Sequence, residues 1–340
     1  MKKIRVVAYG VGVVGSLIVK SLLEKDGVEI VGAIDIAANK VGKDLGDALD
    51  LGRKLGITIS NDTSAVLSST QPDIVIHTTS SYLKDIFPQV TSIVETGVDV
   101  VSTCEELSYP YLVEPELASR LDALAKKYNA TVLGTGINPG FLMDTLVIAL
   151  TAPCQKIKKI SVARVMNAAT RRVPFQKKIG AGLTVQEFKF KIDKKEITGH
   201  VGLQQSIGMV ADALSWKLDR IVTEPVQPII ARMPVGSKDI KVKAGQVAGL
   251  RQRAIGILNT REVIILDFQA YIGAEEEYDS ITVQGVPPIN QRIQPCVHGD
   301  LGTIAMVMNS VPRVISAPSG LLTMKDLPIP RAAFSSSECY

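Results

Sequence analysis

The chain has 340 residues, too many for one ordinary core and suited to two domains. Hydrophobic residues make up 46% and charged residues 21%, and a net charge of +4 is scattered among acids, so neither a nucleic-acid nor a membrane partner is implied. Four cysteines without metal-ligand spacing and only three histidines imply no metal site, and fit reduced thiols in a cytoplasmic protein.

Met1-Lys2-Lys3 before an apolar run imitates a signal peptide, but three glycines at motif spacing break the run and no small-residue cleavage site follows before Lys20. The run is instead a first strand, Ile4 to Tyr9. Gly10-Val11-Gly12-Val13-Val14-Gly15 follows it, and Ser16 to Leu23 has helical apolar spacing. A second β-rich run, Val28 to Ile34, ends at Asp35, twenty residues after Gly15. Strand, glycine turn, helix and acid together form a dinucleotide-binding pattern, far more specific than the glycines alone. Gly10 permits the tight turn, Gly12 lets backbone amides approach a pyrophosphate, and Gly15 packs helix against strand. Gly10, Gly12, Val13, Val14, Gly15 and Asp35 are therefore the expected cofactor contacts. Asp35 points to NAD, because a carboxylate repels a 2′-phosphate; Lys40 and Lys43 soften that repulsion and leave NADP open.

Short apolar strands then alternate with helical stretches up to about residue 150, as in a doubly wound parallel sheet. Residues 73–76, 98–101 and 131–133 read as strands, and 81–97 and 115–128 as helices. Polar turns follow each strand: His77-Thr78-Thr79-Ser80, Ser102-Thr103-Cys104-Glu105-Glu106, and Gly134 to Phe141. In such sheets ligands lie beyond the carboxyl ends of the strands. Thr78, Thr79 and Asn138 are expected at the cofactor and Phe141 at the substrate, the alternative for Asn138 to Phe141 being a simple turn into the helix containing Asp144. Glu105 is the expected general base, with Glu106 second; the alternative is that either residue caps a helix or is simply solvated. Cys104 has no neighbouring histidine in the chain to activate it as a nucleophile.

Beyond about 150 the rhythm changes. Residues 159–164, 187–192 and 263–271 alternate like strands of a mainly antiparallel sheet, and 203–218 reads as a helix. Arg171 to Gly180 is a dense cationic turn in which Arg171, Arg172, Gln176 and Lys177 are candidates to hold a substrate carboxylate, the alternative being a solvated loop. His200, before the helix, either bonds substrate or satisfies a turn. Residues 302–309 read as a helix returning to the first domain, and the end from Ala332 is expected to fray. The expected domains are 1–150 for the dinucleotide, 151–300 for substrate and dimerisation, and 301–340 for the returning helix and tail.

The glycine motif, the Cys104-Glu105-Glu106 turn, Gly134 to Phe141, Arg171 to Gly182 and Gly199-His200-Val201-Gly202 together resemble the 2,4-diaminopentanoate dehydrogenase and native amine dehydrogenase family, within the dihydrodipicolinate-reductase-like superfamily. The resemblance covers nearly the whole chain. It implies a Rossmann domain with an α+β substrate domain, a homodimer, NAD(P)-dependent oxidative deamination of a small diamino acid or amine, and Glu105 as the catalytic residue. The chain lacks the His-His pair of true dihydrodipicolinate reductases. It also has Gln204-Gln205 where a glutamate-serine pair is expected.

Overall fold

The computed structural model describes residues 3–334. Cys339 lies outside them, as does most of the end expected to fray. Contacts divide the chain into two compact units, one formed by residues up to Phe141 together with those from Gly299 onward, the other by Leu142–His298. The first division falls at 141/142, not near 150.

Unit 1 contains β1 (Ile4–Tyr9), β2 (Val28–Ile34), β3 (Ile59–Ser60), β4 (Ile74–His77), β5 (Asp99–Ser102) and β6 (Thr131–Gly134). All pair in parallel, in the order β3-β2-β1-β4-β5-β6, and a further strand, Gly320–Leu322, adds to β6. The order reverses between β1 and β4, the switch point at which such sheets bind ligands. Buried on both faces, the strands are runs of Val, Ile and Ala rather than alternating sequences.

The helices of unit 1 are α1 (Val13–Leu23), α2 (Leu45–Ala48), α3 (Thr63–Thr70), α4 (Leu83–Val94) and α5 (Pro115–Lys127), with a C-terminal helix at Gly299–Ile315. Helix α1 packs with the C-terminal helix, whereas α3, α4 and α5 pack among themselves, as on the two faces of a doubly wound sheet. Helix α1 buries Gly15, Ile18, Val19 and Leu22, one stripe at helical spacing. Helix α4 buries Leu83, Ile86, Phe87, Val90, Ile93 and Val94, each contributing about 1.5–3 kcal/mol of burial. No described helix is long and apolar enough to cross a membrane.

Unit 2 opens with α6 (Thr145–Thr151). Its strands are β7 (Lys156–Asn167), β8 (Arg220–Thr223), β9 (Gln227–Ile230), the short pair β10 (Val235–Gly236) and β11 (Lys241–Val242), β12 (Val247–Leu258), β13 (Arg261–Tyr271), β14 (Tyr278–Val286) and β15 (Ile289–Ile293). The main sheet runs β15-β14-β7-β13-β12-β8, with β9 also on β12. It is mostly antiparallel, but β7 and β13 pair in parallel. Helices α7 (Val173–Lys178), α8 (Val185–Asp193) and α9 (Leu203–Ala213) complete the unit.

Three sequence expectations depart from the structure. Residues 187–192 alternate like a strand yet lie inside α8. Thr184 Oγ1 accepts from Glu187 N–H while Glu187 Oε2 accepts from Thr184 N–H, a reciprocal cap that starts a helix there. The cationic turn is likewise partly helical, and the helix expected over 203–218 ends at Ala213.

Candidate active site

Four parallel strands finish in one row: Tyr9, His77, Ser102 and Gly134 are register partners across β1, β4, β5 and β6. The residue after each end is tied to the strand beside it. Thr78 N–H donates to Tyr9 O at 2.8 Å, Thr103 N–H to His77 O at 3.0 Å, and Thr135 N–H to Ser102 O at 2.9 Å. The three polar turns read from the sequence therefore emerge side by side at the carboxyl edge.

At the switch point the glycines have separate tasks. Gly10 has φ +92°, and a Cβ on Gly15 would sit 1.9 Å from Gly10 O. Both must be glycine for α1 to close on the end of β1. Gly12 has ordinary extended backbone, with no atom within 4 Å of where its Cβ would project. That clear space lies at the start of α1, whose first-turn amides have no intrahelical acceptor, so a pyrophosphate fits there. Val13 is exposed beside it, and Val14 is half-buried.

Asp35 closes the turn. Its carboxylate accepts from Val11 N–H at 2.9 Å, Ala37 N–H at 2.9 Å and Lys40 Nζ at 3.2 Å, and Lys40 Nζ also reaches Val11 O at 2.6 Å. Partial burial pushes the Asp35 carboxyl upward, but the Ala37 N–H, the Lys40 ammonium and the Val11 N–H outweigh it and leave it below the usual range. A carboxylate with about four lone-pair sites retains capacity for a ribose hydroxyl. Lys40 thus pairs with Asp35 itself, and Lys43 is exposed.

Thr78 and Thr79, expected at the nicotinamide ribose, already bond within the protein. Thr78 Oγ1 donates to Gly10 O at 2.7 Å, and Thr79 Oγ1 to Gln89 Oε1 at 2.8 Å. His77 is fully buried, with Nδ1 3.1 Å from Ser102 Oγ and Nε2 2.8 Å from Gln89 Oε1. Burial pushes its pKa down to about 4, against the opposing bond to Gln89, so the ring is neutral. A neutral ring donating from Nε2 to Gln89 accepts at Nδ1 from Ser102, whose oxygen in turn accepts from Cys104 N–H at 3.1 Å. The sequence did not reveal this link from β4 to the turn that carries Glu105.

The two glutamates separate. Glu106 turns back: its Oε2 accepts from Leu83 N–H at 2.8 Å and caps α4. Burial raises its pKa, with the Leu83 bond opposing. Glu105 opens a short 3-10 turn, its carbonyl accepting from Ser108 Oγ at 2.7 Å, and is half-buried where β5 emerges. Burial lifts the Cys104 thiol to about 12, so it is no nucleophile at neutral pH. Asn138 and Phe141 lie in the turn after β6, both half-buried.

In unit 2, Arg171 follows β7, and two of its buried nitrogens, Nε and Nη1, have no hydrogen-bond partner. Gln176, expected to contact substrate, is turned inward: its amide donates to Arg171 O at 2.6 Å and accepts from Ser237 Oγ at 2.7 Å. It holds the loop that presents Arg171. Arg172 and Lys177 are exposed. His200 stacks on Phe268 with centroids 4.6 Å apart, and burial together with the Lys178 and Arg164 charges pushes its pKa down to about 3. The ring is therefore neutral at neutral pH.

Comparison with known proteins bears on the family and the fold. Residues 141–339 match the model of the 2,4-diaminopentanoate dehydrogenase C-terminal domain, and 4–104 match the dihydrodipicolinate reductase N-terminus. The chain is 37% identical to 2,4-diaminopentanoate dehydrogenase of Acetoanaerobium sticklandii over 98% of its own length and 95% of the relative's. The chain belongs to the 2,4-diaminopentanoate dehydrogenase family. Within this family's wider circle, the amine dehydrogenase of Mycobacterium smegmatis superposes with a TM-score of 0.82 at 32% identity, covering 96% of this chain and 97% of that one. An amine dehydrogenase of Streptomyces virginiae is 25% identical over 50% of this chain and 48% of its own. A dihydrodipicolinate reductase from Paenisporosarcina shares the fold, with a TM-score of 0.52 at 13% identity over 95% of this chain and 98% of that one.

Proposed function

We propose that the chain is an NAD-dependent dehydrogenase that removes the 4-amino group of 2,4-diaminopentanoate, yielding 2-amino-4-oxopentanoate and ammonia. The observation that carries this reading is the division of labour at the end of β5, where Glu106 caps α4 and Glu105 follows the strand at the carboxyl edge of the sheet. Family membership supports the substrate. The clear space at Gly12 and the carboxylate of Asp35 support the dinucleotide, with NAD favoured and NADP accepted to a lesser degree.

The chemistry assigns each group a task. An aliphatic amine with a pKa of about 10.4 arrives as ammonium and must lose a proton before its carbon can release hydride. Glu105 holds the ammonium, accepts that proton and stabilises the iminium cation that follows. Once it has released that proton to solvent, the carboxylate takes a proton from water as hydroxide adds to the iminium carbon, passes it to the amino nitrogen, and accepts the hydroxyl proton as the carbon–nitrogen bond breaks to give ketone and ammonia. NAD, when bound, supplies the acceptor for the hydride. Overall the amine and one water give the ketone, ammonia, the reduced cofactor and a proton. Arg171 binds the substrate carboxylate, with Arg172, Lys177 and His200 contributing. Asn138 and Phe141 orient the nicotinamide and the substrate.

We place the enzyme in the cytoplasm as a homodimer. The free thiols of Cys104, Cys154 and Cys296 support the compartment, and the family resemblance supports the dimer. Light scattering on a sizing column tests the latter. For the activity, purified protein with NAD and racemic 2,4-diaminopentanoate should raise near-ultraviolet absorbance as the cofactor is reduced. No rise with the diamino acid, set against a rise with simple amines lacking a carboxylate, would make it a general amine dehydrogenase.

A further inference from the structure

One edge of the unit 2 sheet, where β7 and β13 end and β14 begins, gathers charges around Arg171, the group proposed above for the substrate carboxylate. Two arginines there behave differently. Arg164 is satisfied: Nη1 pairs with Asp279 Oδ1 at 2.7 Å, Nη2 donates to Val297 O, and Asp279 Oδ2 accepts from Val297 N–H at 2.8 Å. This pair closes on itself and offers nothing to a ligand.

Arg171 is the opposite case. Its Nε and Nη1 are buried with no hydrogen-bond partner, and Nη2 makes a weak bond to Cys296 Sγ at 3.7 Å. A desolvated guanidinium with unused donors favours a carboxylate strongly, because each unmade bond carries a desolvation cost. The same sulfur, Cys296 Sγ, donates to Glu277 Oε2 at 3.5 Å, and Asn167 N–H donates to that oxygen at 3.2 Å. Glu277 Oε1 takes part in none of these bonds. The thiol is neutral, since burial pushes it up to about 11. A cation and an anion thus both contact one uncharged thiol, and the Arg171 charge also acts on Asp279.

Their shared contact with one small side chain suits a ligand carrying the complementary pair on a single carbon. We infer that Arg171 and Glu277, spaced by Cys296, form a head-group subsite for an α-amino acid, Arg171 taking the carboxylate and Glu277 the α-ammonium. Glu277 then selects a 2,4-diamino acid over a 4-amino acid without the α-amino group. Sequence spacing gave no sign of it, because over a hundred residues separate Arg171 from its two partners. The inference rests on the proposed substrate for its role in turnover, but the binding chemistry stands apart from it.

The test is therefore direct binding, by calorimetry, of 2-aminopentanoate and of pentanoate to the full chain, with turnover of 2,4-diaminopentanoate measured on the same preparations. Wild type should bind 2-aminopentanoate at least 10-fold tighter than pentanoate. Glu277→Gln should erase that preference without weakening pentanoate. Equal affinity of wild type for the two ligands, which needs no variant, overturns the subsite, as does an undiminished preference in Glu277→Gln. Glu277-dependent binding without turnover keeps the subsite and rejects the deamination. Turnover without Glu277 dependence does the reverse.

Discussion

Two substitutions in one glycine turn should fail in different ways. In Gly15→Ala the new Cβ meets Gly10 O at 1.9 Å and Thr78 Oγ1 at 2.5 Å. The first of these is backbone and cannot rotate aside, so α1 and the end of β1 must part by more than an ångström. Overpacking of this kind costs about 1–3 kcal/mol, and opening the turn also breaks the Thr78–Gly10 hydrogen bond, worth about 1 kcal/mol more. A loss of about 2–4 kcal/mol lowers the melting temperature of a unit this size by roughly 4–16 °C. Gly12→Ala has the opposite signature. Its backbone suits any residue and its Cβ projects into open space, so the melting temperature should match wild type. The methyl occupies the approach of the pyrophosphate, and NAD affinity should fall at least about 10-fold, or 1.4 kcal/mol. Thermal unfolding and NAD titration of both variants decide the matter. Gly12→Ala binding NAD like wild type, or Gly15→Ala melting with wild type, would refute the reasoning.

His77 makes the stability of unit 1 pH-dependent. Its pKa is about 4 when folded against 6.5 as a free side chain, so the unfolded chain takes up the extra proton between those values. Stability is full above about pH 6.5 and should fall by about 3 kcal/mol as pH drops to 4; denaturant titrations that show the same slope in His77→Asn would contradict this. Asp35→Asn removes the charge expected to repel a 2′-phosphate and releases Lys40, so the NADP to NAD ratio of kcat/KM should rise roughly 10-fold. An unchanged ratio would place Asp35 away from the ribose. Glu106→Gln keeps an oxygen for Leu83 N–H, so turnover should stay within about 3-fold of wild type; a far larger loss would move the base from Glu105 to Glu106.

What the sequence made legible was mostly local. The glycine turn, Asp35 and the polar turns after β4, β5 and β6 are each contiguous, and a parallel sheet must bring such turns to one edge. Strand β3 has two residues and carries no periodicity to detect. Residues 187–192 misled because hydrophobic alternation was weighed above the Thr184-Val185-Gln186-Glu187 cap, a helix-start signal present in the sequence. Gln176 shows a different limit: residue type places it in a cationic loop, but only packing turns its amide inward. The links from His77 through Ser102 to Cys104, and from Arg171 through Cys296 to Glu277, depend on strand register over tens to hundreds of residues, which spacing does not encode.

The steady-state rate of Glu105→Gln with 2,4-diaminopentanoate, measured beside its NAD affinity, bears most directly on the proposed chemistry. An amide cannot accept the ammonium proton, so kcat should fall roughly 100-fold or more while NAD binds as in wild type. A kcat within a few-fold of wild type would contradict the assignment of this carboxylate as the base.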